Sequence, residues 1–116
     1  MPEHAATKTL RLVVEQKHGT ALVRCSGRLV YGVGDQLYNQ IRDLTSTSRR
    51  IVLDFTELAH MDSSGIGTLV RAYVHSKSAG CTLELVNIGK PIRQLLGVTH
   101  LLEVFETIGR NQIRMG

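Results

Sequence analysis

Only two cysteines, Cys25 and Cys81, occur in the 116 residues, with no CxxC pair and no histidine nearby at metal-ligand spacing. That excludes a disulfide framework and a zinc site and predicts two small buried thiols. Tryptophan is absent, and the five aromatics (three Tyr, two Phe) are not interleaved with basic residues. Nucleic acid-binding surfaces concentrate positive charge along one stripe, often with aromatic platforms between the cations. Here the 14 Lys and Arg are scattered from Lys8 to Arg114 and only Arg49 and Arg50 are adjacent. The net charge of +4 is therefore read as solubility and weak steering of partners, with no direct nucleic acid contact. No apolar run approaches the roughly 20 residues needed to span a bilayer, and residues 1–9 lack the apolar stretch of a signal peptide. A cytoplasmic protein with no membrane contact is expected.

Hydrophobic residues make up 42% and charged residues 21%, ordinary values for a chain that buries one core. Residues 10–16 (LRLVVEQ) and 21–26 (ALVRCS) are β-rich and separated by His18-Gly19-Thr20, which predicts an opening antiparallel pair. From Asp35 to about Ser46, Leu37, Ile41 and Leu44 fall at helical spacing. Residues 50–55 (RIVLDF) read as a central strand covered on both faces. A second helix begins at Ser63 or Ser64 and ends near Gly80, with Ile66, Leu69, Val70, Tyr73 and Val74 assigned to its buried face. Residues 81–87 (CTLELVN) follow as a strand, Pro91 opens a helix carrying Ile92, Leu95 and Leu96, and Val104-Phe105 reads as a last short edge strand. The alternation predicts an α/β fold, a mixed, mostly parallel sheet with helices packed against it. One domain over residues 9–108 is expected, with 1–8 and 109–116 free to fray.

The chemistry concentrates in Ile51 to Gly67, IVLDFTELAHMDSSGIG, read as a buried strand, a short loop, then two serines and a glycine opening a helix. The first N–H groups of a helix have no internal partner and carry partial positive charge, so that turn tolerates a phosphate on serine. Gly65 is expected to leave the Ser64 hydroxyl approachable, and Gly67 to keep the next turn narrow. The plainer alternative makes Asp62 and Ser63 helix caps and the glycines packing residues.

Other constellations are weaker. Gly32-Val33-Gly34 and Gly65-Ile66-Gly67 lack the third glycine of a dinucleotide fingerprint, and no GxxxxGK[ST] is present. His60, Asp62 and Ser63 have the residue types of a hydrolase triad, but they are nearly consecutive and no GxSxG elbow surrounds the serine. Neither nucleotide binding nor catalysis is expected, and no metal or cofactor is assigned.

The phrase LDF…MDSSGIGTLVRAY…AGCTLELVN…IRQLLGVTHLLEVF, with Gly27-Arg28-Leu29 upstream, resembles the STAS domain family (sulfate transporter and anti-sigma factor antagonist) over about residues 10–106. The resemblance is to its anti-sigma factor antagonist type. It implies that Ser64, the second serine of the motif, is phosphorylated by an anti-sigma factor serine kinase, with Asp62, Ser63, Gly65, Gly67 and Thr68 forming the partner-binding helix start. It further implies that the unphosphorylated form binds that kinase and frees a sigma factor. A serine phosphatase resets the modified form, and ATP and Mg belong to the kinase. A monomer or weak dimer is expected. The alternative from the same family is an unmodified scaffold subunit of a signalling or transport complex.

Overall fold

A computed structural model describes residues 9–98 and 112–114. Its strands are β1 (Leu10–Lys17), β2 (Thr20–Leu29), β3 (Arg50–Met61), β4 (Thr82–Val86) and β5 (Gln112–Arg114). The helices are α1 (Gly34–Leu44), α2 (Ser63–Ser78) and α3 (Lys90–Val98). The sheet order is β1-β2-β3-β4-β5, antiparallel at its two outer pairs and parallel for β2-β3 and β3-β4. This is the mixed α/β architecture expected from the alternation of elements.

The opening hairpin turns on two residues. His18 and Gly19 both have positive φ (53° and 80°), the backbone that two-residue hairpin turns need and that glycine adopts at little cost. The turn pairs Lys17 with Thr20 and fixes which side chains point inward.

Side chains alternate across the parallel centre. Ala21, Val23, Ile51, Leu53, Phe55, Leu83 and Leu85 are fully or almost fully buried and join Leu37 and Ile41 of α1 and Leu69 and Ala72 of α2 in one core. On the other sheet face the Arg50 guanidinium bonds both carboxylate oxygens of buried Glu84, at 2.7 and 2.9 Å, linking β3 to β4. That bidentate hydrogen bond also raises the Arg50 pKa.

Three expectations change. The central strand does not stop at Phe55 and give way to a loop: β3 runs on to Met61. Exposed Thr56, Glu57, Ala59 and His60 break the apolar run in sequence, yet the backbone stays paired with the second half of β2 through two register shifts. Leu58 and Met61 remain buried there. On α2, Val70 and Val74 are exposed (37% and 56%), while Gly65, Thr68, Ala72 and Ser76 are buried beside Ile66 and Leu69. Small side chains at successive turns let the helix lie close to its neighbours, so the inward stripe is set by size as well as by hydrophobicity. Residues 112–114, in the stretch expected to fray, pair with Val86 to Glu84 and give β4 a hydrogen-bonded neighbour. The short strand assigned to Val104-Phe105 lies outside the described residues.

Candidate functional site

The site forms where two parallel strands end side by side. Leu29 closes β2 opposite Met61, which closes β3, and each strand then feeds a helix on the same side of the sheet. Crevices beyond the carboxyl ends of parallel strands are the usual ligand-facing positions of open α/β sheets.

Asp62 joins the two exits. Its N–H donates to the carbonyl of Leu29 at 3.3 Å, and its Oδ2 accepts from the N–H of Tyr31 at 3.1 Å. Its Oδ1 accepts from the N–H groups of Ser64 (3.0 Å) and Gly65 (3.2 Å), capping α2, and from the Ser64 hydroxyl at 2.6 Å. The hydroxyl hydrogen bond, more than those N–H donors, holds the Asp62 pKa below the usual carboxylate range, against a smaller opposing effect of desolvation. Asp62 is therefore ionised at neutral pH. With the Ser64 proton directed at Asp62, the hydroxyl lone pairs are left for an incoming group.

Ser63 is exposed and Ser64 half-buried, so the hydroxyl fixed by Asp62 is that of Ser64. Gly65 does not serve accessibility, as its place in the sequence suggests. It is buried, and a β-carbon there would lie 2.5 Å from Met61 Cγ and 2.7 Å from the carbonyl oxygen of Leu29. Its role is to let the first turn of α2 settle on the ends of β2 and β3. Gly67 is the open glycine, exposed and with nothing within 4 Å of where a β-carbon would sit. Thr68, 4% exposed, donates its hydroxyl to the carbonyl of Ser64 at 3.2 Å and packs against Gly34, where a β-carbon would run into Thr68 Oγ1. The start of α1 is thereby brought against the second turn of α2.

Between them opens a cleft of about 450 Å³ lined by Tyr31, Gly34, Asp35, Ser64, Thr68 and Arg71, among others. Tyr31 is 86% exposed at its lip. The Arg71 guanidinium pairs with Asp35 at 3.3 Å and stacks over the Tyr38 ring at 4.2 Å. Tyr31, Asp35 and Arg71 are absent from the site residues read from sequence. The available signals were an aromatic set among glycines just after β2, and an arginine seven residues beyond Ser64 on one helix face. The triad grouping does not form a site: Asp62 spends its carboxylate on Ser64, Gly65 and Tyr31, and His60 is exposed on β3. Among the described residues no three His, Cys, Asp or Glu side chains cluster to hold a metal, and no helix is long and apolar enough to cross a membrane.

These features define a small α/β domain that presents one oriented serine hydroxyl at the exit of its parallel strands. The chain belongs to the STAS domain family, whose model matches residues 11–112. It is 27% identical over 97 residues to the anti-sigma F factor antagonist of Paenibacillus polymyxa, covering 82% of this chain and 83% of that one. The fold is similar to that of the anti-sigma factor antagonist SpoIIAA in its unphosphorylated form, with a TM-score of 0.70, 21% identity, and coverage of 80% of this chain and 84% of the other. It is also similar to the Bacillus cell fate determinant SpoIIAA in the phosphorylated form, with a TM-score of 0.64, 19% identity, and coverage of 85% and 100%.

Proposed function

We propose that this protein is an anti-sigma factor antagonist whose unphosphorylated form binds an anti-sigma factor serine kinase, releasing a sigma factor, and whose phosphorylation at Ser64 ends that binding. The observation that carries the reading is the 2.6 Å hydrogen bond from the Ser64 hydroxyl to ionised Asp62 at the start of α2. It favours Ser64 over exposed Ser63 as the phosphoacceptor. The similarity to an anti-sigma F factor antagonist, and to SpoIIAA in unphosphorylated and phosphorylated forms, supports the reading as a phospho-regulated antagonist.

In the transfer, the Ser64 oxygen bonds to the γ-phosphorus of ATP held with Mg by the kinase, the bond to the departing ADP breaks, and the hydroxyl proton passes to a base of the kinase. The domain needs no catalytic group of its own. Ser63, Gly67 and Tyr31 form the contact surface, while buried Gly65 and Thr68 shape it from beneath. Phosphate adds about −1.5 to −2 charge beside Asp62. An unpaired charge left in an interface costs about 3 to 5 kcal/mol, and each 1.4 kcal/mol is a factor of about ten in affinity, so one modification lowers binding more than a hundredfold. A serine phosphatase restores the binding form.

The test is peptide mass spectrometry after incubation with ATP and a lysate of the protein's own host, beside Ser64→Ala and Ser63→Ala. Phosphate on Ser64, retained in Ser63→Ala and lost in Ser64→Ala, is expected. Ser64→Ala should then stay bound to the kinase and Ser64→Asp should not. An unmodified segment 60–71, in a lysate that phosphorylates a control substrate, would sink the proposal in favour of an unmodified scaffold subunit.

A further inference from the structure

Ser64 and Arg71 lie seven residues apart on α2. At 3.6 residues per turn this returns to within about 20° of one direction, with a rise of about 10 Å. Helical side chains lean toward the N-terminus, so a long residue at position 71 projects back toward position 64. Both line the same cleft, with Thr68 between them. The titratable groups lining that space are Asp35 on α1, Tyr31 after β2 and Arg71 itself, with Asp62 behind Ser64 at the β3–α2 junction.

Arg71 has two present partners, the Tyr38 ring beneath its guanidinium at 4.2 Å and Asp35, and the ion pair is the weak one. The Arg71 and Asp35 side chains are 53% and 81% exposed, and the contact is a single 3.3 Å approach. A phosphoserine offers about twice the charge of a carboxylate and three acceptor oxygens matched to the guanidinium fork. The N–H groups of the first turn of α2 favour a phosphate there, but esterifying the Ser64 oxygen removes the proton shared with Asp62 and sets two anions against each other. Repulsion from Asp62 and attraction to Arg71, the one cation among the described residues lining the cleft, act in the same direction.

We infer that Arg71 is an intramolecular phosphate-binding residue, leaving Asp35 to pair with the phosphate on residue 64 and closing the cleft over the kinase-facing surface. The inference rests on Ser64 as the phosphoacceptor, but its test does not need the kinase. Phosphorylation then changes the surface three ways: the cleft is bridged, Asp35 is released, and part of the new charge is neutralised within the domain. The off state is a different shape as well as a different charge.

The experiment is a 31P NMR titration of the 116-residue chain carrying phosphoserine inserted at position 64 during synthesis, in the wild-type background and in Arg71→Gln. The second phosphate pKa is expected to be about 1 unit lower with Arg71 present. In parallel, the Arg71 Nε–Hε resonance of the wild-type chain is compared with and without phosphate, and is expected to shift and to exchange more slowly with solvent. Equal phosphate pKa values, or an Arg71 resonance unmoved by phosphorylation, would overturn the assignment; the second comparison needs no substitution and stands even where Arg71→Gln folds poorly. A host lysate that leaves Ser64 unmodified bears on the phosphoacceptor reading alone, and an unshifted phosphate pKa on Arg71 alone.

Discussion

Asp62 Oδ1 receives the Ser64 hydroxyl at 2.6 Å and the Ser64 backbone N–H at 3.0 Å, so one oxygen both caps the helix and orients the nucleophile. Capping and orientation separate by substitution. Asp62→Ala loses both: the domain is expected to lose about 1 kcal/mol in urea unfolding, and Ser64 to be phosphorylated more slowly. Asp62→Asn keeps a good cap and removes the charge. It should unfold closer to the wild-type midpoint than Asp62→Ala does, and its phosphorylated form should retain more kinase binding than phosphorylated wild type. Equal residual binding of the two phosphorylated proteins would show that Asp62 does not contribute to release.

The same carboxylate and Asp54 give the fold a defined acid limit. Burial works to raise the Asp54 pKa, but hydrogen bonds from the Thr56 hydroxyl, the Asn87 amide and the Thr56 N–H, aided by Arg24, bring it below the ordinary value of 3.8. Both groups are lower in the folded state than in the unfolded one. The stability they contribute is complete above the unfolded pKa and disappears as pH falls through the folded pKa. Urea midpoints should therefore be insensitive to these two groups from pH 7 to about 5 and decline below about pH 4. Asp54→Asn should flatten that decline; an unaltered slope in the variant would remove Asp54 from the account.

Gly65 and Gly67, two residues apart, should respond oppositely to alanine. A β-carbon at 65 meets the fixed carbonyl of Leu29 at 2.7 Å, so Gly65→Ala should destabilise by about 1 to 3 kcal/mol. At 67 nothing lies within 4 Å, and alanine should stabilise the helix by about 0.5 to 1 kcal/mol. Chemical unfolding of the two variants checks both signs. If Gly67 faces the kinase as proposed, the more stable variant is also the weaker binder, a combination that loss of folding cannot produce.

That contrast marks where the sequence was legible. Hairpin, helix and strand order followed from period and turn residues, because His18-Gly19, the spacing of Leu37, Ile41 and Leu44, and the run at 50–55 each carry local signals. Asp62-Ser63-Ser64-Gly65 was visible as a helix start, and Asp62 is its cap. Hidden was whatever depends on a partner far along the chain. Thr56–Met61 looks like a loop until β2 pairs with it, Val70 looks buried until Ala72 and Ser76 take the inward face, and Arg71 looks like solvated surface until α1 brings Asp35 and Tyr38 against it. Single-sequence periodicity measures hydrophobicity, whereas close helix packing here selects small side chains.

Cys25 supplies a probe of how the domain opens. Burial, with a smaller effect of nearby Asp54, pushes its thiol up to about 12, and burial raises Cys81 as well. At pH 8 the thiolate fraction of Cys25 is on the order of 10⁻⁴, and the two residues are 1% and 3% exposed. Alkylation should therefore wait for unfolding. With iodoacetamide at pH 8, neither cysteine should react in native buffer on the timescale that fully modifies a short cysteine peptide. Both should react together as urea is raised through the midpoint, followed by mass spectrometry. Cys25 is on β2 and Cys81 directly precedes β4, on opposite sides of β3. Modification of Cys25 alone below the midpoint would mean that the β1–β2 hairpin opens while β3 and β4 stay closed, and the single core would then have to be treated as two units of different stability.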